Sequence, residues 1–401
     1  MFKLTYIMNY AKLLLSGSLV LTMAATAFAQ APFSLSGKIE GIPDSVKIVL
    51  SDIEDPDGKV VELASANPKN GAFELKGEVK SPTMCKLFFQ RYNPSREQYN
   101  TLMSVRMMID PSDLSMAAPF HFDSLLNLRD KEMVMKVSGS RIADEYAEYM
   151  AAVNAAERKK DDASYMSAAK YFESNDNRDT VRKYKALKDI AEKDFLAARL
   201  AFVESHPGYN ISAYEIQREF ENVFKYNAAE IDRMADMVNV CPDTARVNMV
   251  EKRRQFAHRY ALGMNCPEFE ATTPEGEVVD FKSKLTPGKY TFIDFWASWC
   301  GPCRAAIPHV KELHKKYGDR LDVFSVSLDE NEKAWRKAME KEQMAWTQLH
   351  LKGDEQAGKG AKSFFITTIP RLVLLDDQGN VICSTNSPDE VTDMLKQRLG
   401  E

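Results

Sequence analysis

Cysteine, basic runs and membrane-length apolar segments are all scarce in this chain, and each scarcity narrows its range of functions. Six cysteines occur in 401 residues. Four of them, Cys85, Cys241, Cys266 and Cys383, stand alone, so no second ligand pair exists at finger-like spacing to complete a zinc site. The formal charge is −5 with no long basic block, which argues against nucleic acid as a partner. Beyond residue 29 no segment is apolar enough to span a bilayer. Composition is otherwise ordinary for globular protein, 44% hydrophobic and 28% charged, and the length predicts two or three domains. No motif for a metal or other cofactor is read.

The two remaining cysteines form a Cys-x-x-Cys pair, Trp299-Cys300-Gly301-Pro302-Cys303, directly after the apolar run Tyr290-Thr-Phe-Ile-Asp-Phe-Trp296. A buried strand should hand over to a helix there. Cysteines three apart on a first helical turn bring their sulfurs within bonding reach, and the unpaired N–H groups of that turn stabilise a thiolate on the first. Pro302 falls at the first helical position, where its missing N–H costs nothing. Cys300 is then the exposed nucleophile and Cys303 the resolving thiol. A purely structural disulfide is disfavoured, because such tight pairs are more often labile and catalytic.

Asp294 is the only charge in its strand, among Phe292, Ile293, Phe295 and Trp296. A strand apolar on both faces is usually central, and a carboxylate buried there is costly unless it has a task. Burial raises its pKa, which suits a proton acceptor and donor for Cys303. The alternative is a capping or surface aspartate at a strand end. Pro370 precedes the apolar stretch Leu372-Val-Leu-Leu375, which suggests a turn into a strand, with an ordinary trans proline as the alternative. His309 and His314 lie outside the Cys-x-x-Cys interval and are expected at the surface.

The segment from Phe292 to Pro308, Phe-Ile-Asp-Phe-Trp-Ala-Ser-Trp-Cys-Gly-Pro-Cys-Arg-Ala-Ala-Ile-Pro, resembles a thioredoxin active site. The segment Thr367-Thr-Ile-Pro-Arg-Leu-Val-Leu-Leu375 is similar to the strand that carries that family's cis-proline, at Pro370. Residues 330–353, with Trp335 and Trp346, resemble the helix-strand insertion of the TlpA/ResA-like branch of the bacterial envelope. The resemblance covers about 264–399. It implies a redox-active disulfide between Cys300 and Cys303, with Asp294 and Pro370 completing the catalytic set. It also implies substrate contacts at Trp299, Gly301, Pro302 and Ile369, with edge hydrogen bonds to an extended segment. Two departures stand out. Ser325 aligns where many thioredoxins pair the buried aspartate with lysine, and Arg371 follows Pro370, predicting a local positive charge in the substrate groove.

The expected architecture is multidomain α+β. Residues 1–29 read as a secretory signal: Lys3 and Lys12 precede an apolar stretch ending Ala-Phe-Ala29, with an uncleaved anchor as the alternative. Removing those lysines takes the charge from −5 to −7. A lipid anchor would need a cysteine at the cleavage site, and the first cysteine is Cys85. Residues 30–137 read as a β-sandwich-like domain, with strands near 33–37, 46–50, 72–79, 84–89, 105–109 and 133–137 and a hairpin signal at Asn70-Gly71. This part loosely resembles the uncharacterised β module that precedes thioredoxin domains in envelope proteins. His121 is expected at the surface or in a cap. Residues 138–262 turn helical, with Leu187, Ile190, Ala191, Phe195, Ala198 and Phe202 on one face. Residues 263–401 form the thioredoxin-like α/β domain. Cys241 and Cys266 flank the last helical segment and could pair in an oxidising compartment.

The favoured function is that of an exported thiol:disulfide oxidoreductase of the periplasm or cell envelope, acting on protein disulfides or dithiols. Gly301-Pro302 between the cysteines is the pair of reducing thioredoxins, with potentials of roughly −270 mV against about −120 mV for envelope oxidants. A reductase there needs an electron source, which the family supplies as a DsbD-like membrane protein. A thiol peroxidase is less favoured, because the positions its Pro-x-x-x-Thr/Ser-x-x-Cys frame requires hold Ile293 and Ala297. A third reading makes the β and helical parts a binding module in which the thioredoxin-like part is secondary.

Overall fold

The computed structural model describes residues 30–54, 59–173 and 178–401, so the expected leader lies outside the described residues. The chain divides into two compact units, one ending at Asp144 and one beginning at Glu145.

The described residues of the first unit contain eight strands: β1 (Ala31–Lys38), β2 (Lys47–Asp52), β3 (Val61–Ala66), β4 (Ala72–Val79), β5 (Thr83–Asn93), β6 (Gln98–Ile109), β7 (Asp113–Ala117) and β8 (Lys136–Ser138). They form two four-stranded sheets, ordered β4-β1-β7-β8 and β3-β2-β5-β6. Alternation decides which side chains face inward. Phe33 and Leu35 of β1, Phe73 and Leu75 of β4, and Leu87 and Phe89 of β5 meet in one buried cluster shared by both sheets. Asn70 and Gly71 take φ of 51° and 82°, the positive values a two-residue turn demands. The turn starts β4 but makes no hairpin ladder with β3, which belongs to the other sheet. The strand expected over 133–137 is a short helix, Lys131–Val134, followed by β8. Met133 and Val134 are only half-buried on that turn, so their apolar character reflects one-sided packing, not a strand face. β3 and β7 carry few β-branched or aromatic residues and were illegible by pattern. His121 caps the helix Phe122–Asn127, its Nδ1 accepting from Asp123 N.

The second unit begins within a helix, Arg141–Glu173. Four more follow, Arg178–Ser205, Asn210–Glu219, Ala228–Met237 and Thr244–Arg259. On the helix Arg178–Ser205 the expected stripe is only partly used. Ala191 and Phe202 are buried, whereas Leu187 and Ile190 are 47% and 57% exposed, because packing engages the C-terminal half of the helix. There Arg199, itself buried, donates from Nε to Glu215 Oε2 at 2.6 Å and from Nη1 to Glu219 Oε2 at 3.0 Å. Glu219 also accepts from Lys225 and from the Tyr226 hydroxyl.

The C-terminal sheet comprises β9 (Glu270–Thr272), β10 (Val278–Asp280), β11 (Tyr290–Trp296), β12 (Leu321–Ser327), β13 (Thr347–His350), β14 (Arg371–Leu375) and β15 (Val381–Thr385), ordered β10-β9-β13-β12-β11-β14-β15. β11 runs parallel to β12 and antiparallel to β14. One face packs against the helices Gly301–Tyr317, Glu332–Glu342 and Pro388–Leu399 through Ile307, Val310, Trp335 and Leu395. The other face is closed by Phe269, Phe281 and Phe364, and by Phe224 from the helical part. The boundary expected at 262/263 is therefore bridged by packing. Phe224 lies 6.3 Å from Phe364 between ring centres, and Gly263 N donates to Val381 O at 2.8 Å. Cys241 and Cys266 are both free thiols in different apolar clusters, and the disulfide considered for them is not formed.

The buried Arg199 network yields a stability prediction. Arg199→Ala leaves Glu215 without its principal buried cation and should cost about 3 kcal/mol. Urea unfolding followed by helical circular dichroism measures this, and an unchanged midpoint would contradict it.

Candidate active site

Strand β11 is buried from Thr291 to Trp296 and delivers the chain to the helix Gly301–Tyr317. Cys300 is the N-cap of that helix and Gly301 its first residue, which puts Pro302 second, one position later than expected but still in the turn whose N–H groups lack helical partners. Cys300 and Cys303 form a disulfide with Cα atoms 5.3 Å apart. Cys303 N donates to Cys300 Sγ at 3.2 Å, the contact that would stabilise a thiolate on the first cysteine. Cys300 was expected to be exposed, yet it is only 5% accessible against 1% for Cys303. Both belong to the apolar cluster of Trp296, Ala297 and Leu372, with Ile369 packed against it. The exposed residue is the neighbouring Trp299, at 70%.

The Ala297-Ser298-Trp299 approach to the pair is anchored from the end of β12. The Asp329 carboxylate, buried, accepts from Ser298 N at 2.8 Å, Ser298 Oγ at 2.5 Å and Ser327 Oγ at 2.8 Å. His350 Nε2 lies 2.6 Å from Asp329 O, and its ring stacks on Trp335. Sequence reasoning missed Asp329; its spacing of two residues from Ser327 at a strand end was the available signal.

Asp294 is 1% exposed on the face of β11 shared with Phe292 and Trp296, the face covered by the helix that carries the cysteines. Burial pushes its pKa up to about 7, with an opposing hydrogen bond from Ser325. Ser325 pairs with Asp294 across β11 and β12, at the aligned position, and its Oγ donates to Asp294 Oδ2 at 3.1 Å. The Ile369–Pro370 peptide is cis. Pro370 lies one residue beyond the Phe295–Arg371 pair, beside the end of β11 that leads to Cys300.

Arg371 does not charge the face that holds the disulfide. Along β14, Leu372 and Leu374 join the cysteine-side cluster and Val373 joins the opposite one, so alternation turns Arg371 away. It lines a cleft with Phe224, Leu262 and Phe365. His309 Nε2 lies 2.7 Å from Thr392 Oγ1, tying two helices. His314 is half-buried rather than a surface residue, its ring 5.9 Å from that of Trp346. Burial raises the pKa of all four isolated thiols, to about 12 for Cys266 and Cys383, so none competes as a nucleophile. Among the described residues no cluster of His, Cys, Asp and Glu is built to hold a metal ion.

A dithiol at a helix N-terminus, a buried acid on the adjoining strand and a cis-proline beside them define a thioredoxin-like oxidoreductase site. Residues 288–381 match the thioredoxin-like family model, and residues 33–146 match that of a domain of unknown function, DUF4369. Over 125 residues the chain is 29% identical to the thiol-disulfide oxidoreductase ResA of Bacillus cereus, spanning 30% of this chain and 67% of that one. It is 39% identical over 74 residues to the thioredoxin-like protein YneN of Bacillus subtilis, covering 18% and 41%. A thiol:disulfide interchange protein from Bacteroides sp. aligns structurally over 35% of this chain and 91% of that one, with 24% identity and a TM-score of 0.33. The C-terminal part of this chain is thioredoxin-like and is similar to thiol-disulfide oxidoreductases of the ResA type.

The raised pKa of Asp294 has a signed consequence for stability. A carboxyl that binds its proton more tightly folded than unfolded stabilises fully below the ordinary aspartate pKa near 4, and that contribution is lost as pH rises through about 7. Asp294→Asn removes the loss. In the oxidised protein the variant should gain roughly 4 kcal/mol on its parent between pH 4 and pH 8. Denaturant unfolding at both pH values tests this, and a parent–variant difference independent of pH would refute the assignment.

Proposed function

We propose that this protein is an exported reductase of protein disulfides that works through Cys300 and Cys303. The observation that carries the reading is the Cys303 N–H aimed at Cys300 Sγ on the helix that covers Asp294. In the reduced enzyme the Cys300 thiolate attacks a substrate disulfide; one substrate sulfur leaves with the bonding pair and takes up a proton. The resulting mixed disulfide links Cys300 to the substrate. Cys303 gives its proton to the Asp294 carboxylate and attacks Cys300 Sγ, releasing the second substrate thiolate. Two electrons have passed to the substrate, and the Cys300–Cys303 disulfide remains.

Trp299, Gly301, Pro302 and Ile369 are the proposed docking surface, with the exposed indole of Trp299 as its apolar contact. Return to the dithiol requires a donor of two electrons, for which a DsbD-like membrane protein is proposed. Export to the envelope rests on the composition of residues 1–29, Lys3 and Lys12 before an apolar stretch ending at Ala29. The reducing direction rests on Gly301-Pro302. Equilibration with glutathione should give a potential near −270 mV, and a value near −120 mV would make the protein an oxidant instead.

The roles of the two cysteines are separable. Cys303→Ser should leave the substrate covalently held, because nothing resolves the mixed disulfide, whereas Cys300→Ser should hold nothing. Non-reducing gels of extracts carrying each full-length variant should show higher-mass adducts for Cys303→Ser only, collapsing with reductant. Equal trapping by both would overturn the assignment, and trapping by neither would favour a binding module.

A further inference from the structure

Asp294 Oδ2 accepts from Ser325 Oγ at 3.1 Å, and Ser325 Oγ in turn accepts from Trp346 Nε1 at 2.9 Å. All three side chains are buried, at 1%, 0% and 6% exposure. An indole N–H only donates, which fixes the direction of the chain from Trp346 through Ser325 to Asp294. Each donor polarises the next, so the Trp346 contact makes the Ser325 hydroxyl a better donor to the carboxylate. Ser325 also stands between two strands, paired with Asp294 on β11 and with Gln348 on β13. Gln348 is 7% exposed and its Oε1 is buried without a partner, while its Nε2 donates to Trp346 O. An orphan buried acceptor on the residue that pairs with Ser325 is costly unless it is used in one of the site's states.

We infer that Ser325 and Trp346 are positioning residues that set the proton affinity of Asp294, with Gln348 the second acceptor for the Ser325 proton. With the carboxyl ionised, the hydroxyl donates to Asp294. With the carboxyl protonated, the acid O–H donates to Ser325 Oγ and the Ser325 proton turns to Gln348 Oε1. Trp346 keeps donating to the same oxygen in both states. No proton other than that of the carboxyl is gained or lost. The helix-strand insertion, which supplies Trp346 and Gln348, thereby takes the place of the cation that partners the buried aspartate in many thioredoxins.

The titratable groups on this side of the sheet are few. The overlying helix Gly301–Tyr317 carries Cys303, His314 and Tyr317, and β13 carries His350, whose Nε2 is engaged with Asp329 O. β14 presents Leu372 and Leu374 here, and the helices Glu332–Glu342 and Pro388–Leu399 present Trp335, Ala338, Val391 and Leu395. In the oxidised protein the cysteines do not titrate. The His314 ring centre lies 5.9 Å from that of Trp346, so His314→Gln serves as the control background for the indole signal.

The inference rests on Asp294 as the proton partner of Cys303, but its test uses no turnover. The carboxyl of Asp294 is titrated by carbon NMR in the oxidised full-length protein, with Asp294→Asn as the assignment control. Ser325→Ala should raise the midpoint by about one pH unit, the size of a hydrogen bond to a charged group. Ser325→Thr, which keeps the hydroxyl, should restore the parent value. Trp346→Phe should raise the midpoint by less than Ser325→Ala and add nothing in the Ser325→Ala background, because it acts only through that oxygen. Gln348→Leu should lower the midpoint by withdrawing support from the protonated state. In the parent, with His314→Gln in place, the indole N–H signal of Trp346 should titrate with the carboxyl's own midpoint, a readout that needs no change at Trp346. An unmoved midpoint in Ser325→Ala, an additive effect of Trp346→Phe, or an indole signal indifferent to the carboxyl would each overturn the inference. Trapping by the cysteine variants is independent of all these results, so failure here is distinguishable from failure of the reductase reading.

Discussion

An ionisable group in the middle of a strand buried on both faces is the constraint around which the C-terminal sheet is organised. Its neighbours on β11 from Phe292 to Trp296 are apolar and buried, and helices cover the sheet on the Asp294 side while aromatic rings close the opposite face. That sandwiching keeps water from the carboxyl and lifts its pKa into the range where a thiol can exchange a proton with it. A surface aspartate would have kept its ordinary pKa at no such cost. The stability given up as pH rises through about 7 and the proton still held near neutrality are one property of one carboxyl.

The dithiol and the acid draw on different parts of the fold. Cys300 depends on the open N–H groups of a helix end, a local feature fixed by a few residues. Asp294 depends on a ladder across three strands, with the insertion strand β13 closing it. The approach loop is held by a third device, the Asp329 carboxylate with its three donors. Geometry at the sulfurs is thus set by a helix terminus, a lateral polar row and a loop clamp.

Sequence reading found what is local. The Cys-x-x-Cys pair, the apolar run before it and the Asn-Gly turn all carry their signal within a few residues, and the structure holds the corresponding elements. It misjudged what depends on partners distant in sequence. Arg371 follows a proline beside the dithiol, but strand alternation points it to the opposite face, a fact settled only by register with Phe295. Leu187 and Ile190 obey helical periodicity yet find no packing surface. Trp346 was legible as part of an insertion, while its hydrogen bond to a serine 21 residues earlier was not, because nothing in either neighbourhood marks it. The short strands β3 and β7 are carried by their sheets, not by their composition.

Phe224 shows where the thioredoxin-like part of the molecule begins in physical terms. It holds a left-handed backbone, φ 54°, that an aromatic residue adopts only under compulsion, and its N–H donates to Tyr260 O at 2.7 Å. Its ring completes the apolar cluster under the sheet, against Phe364 and Tyr260. A fragment cut at residue 263 would carry an open socket beneath its central strands, a loss comparable to deleting a core phenylalanine, roughly 3–5 kcal/mol. The helical segment is in that sense a plug for the sheet that carries the dithiol, reaching it from upstream of the thioredoxin-like match.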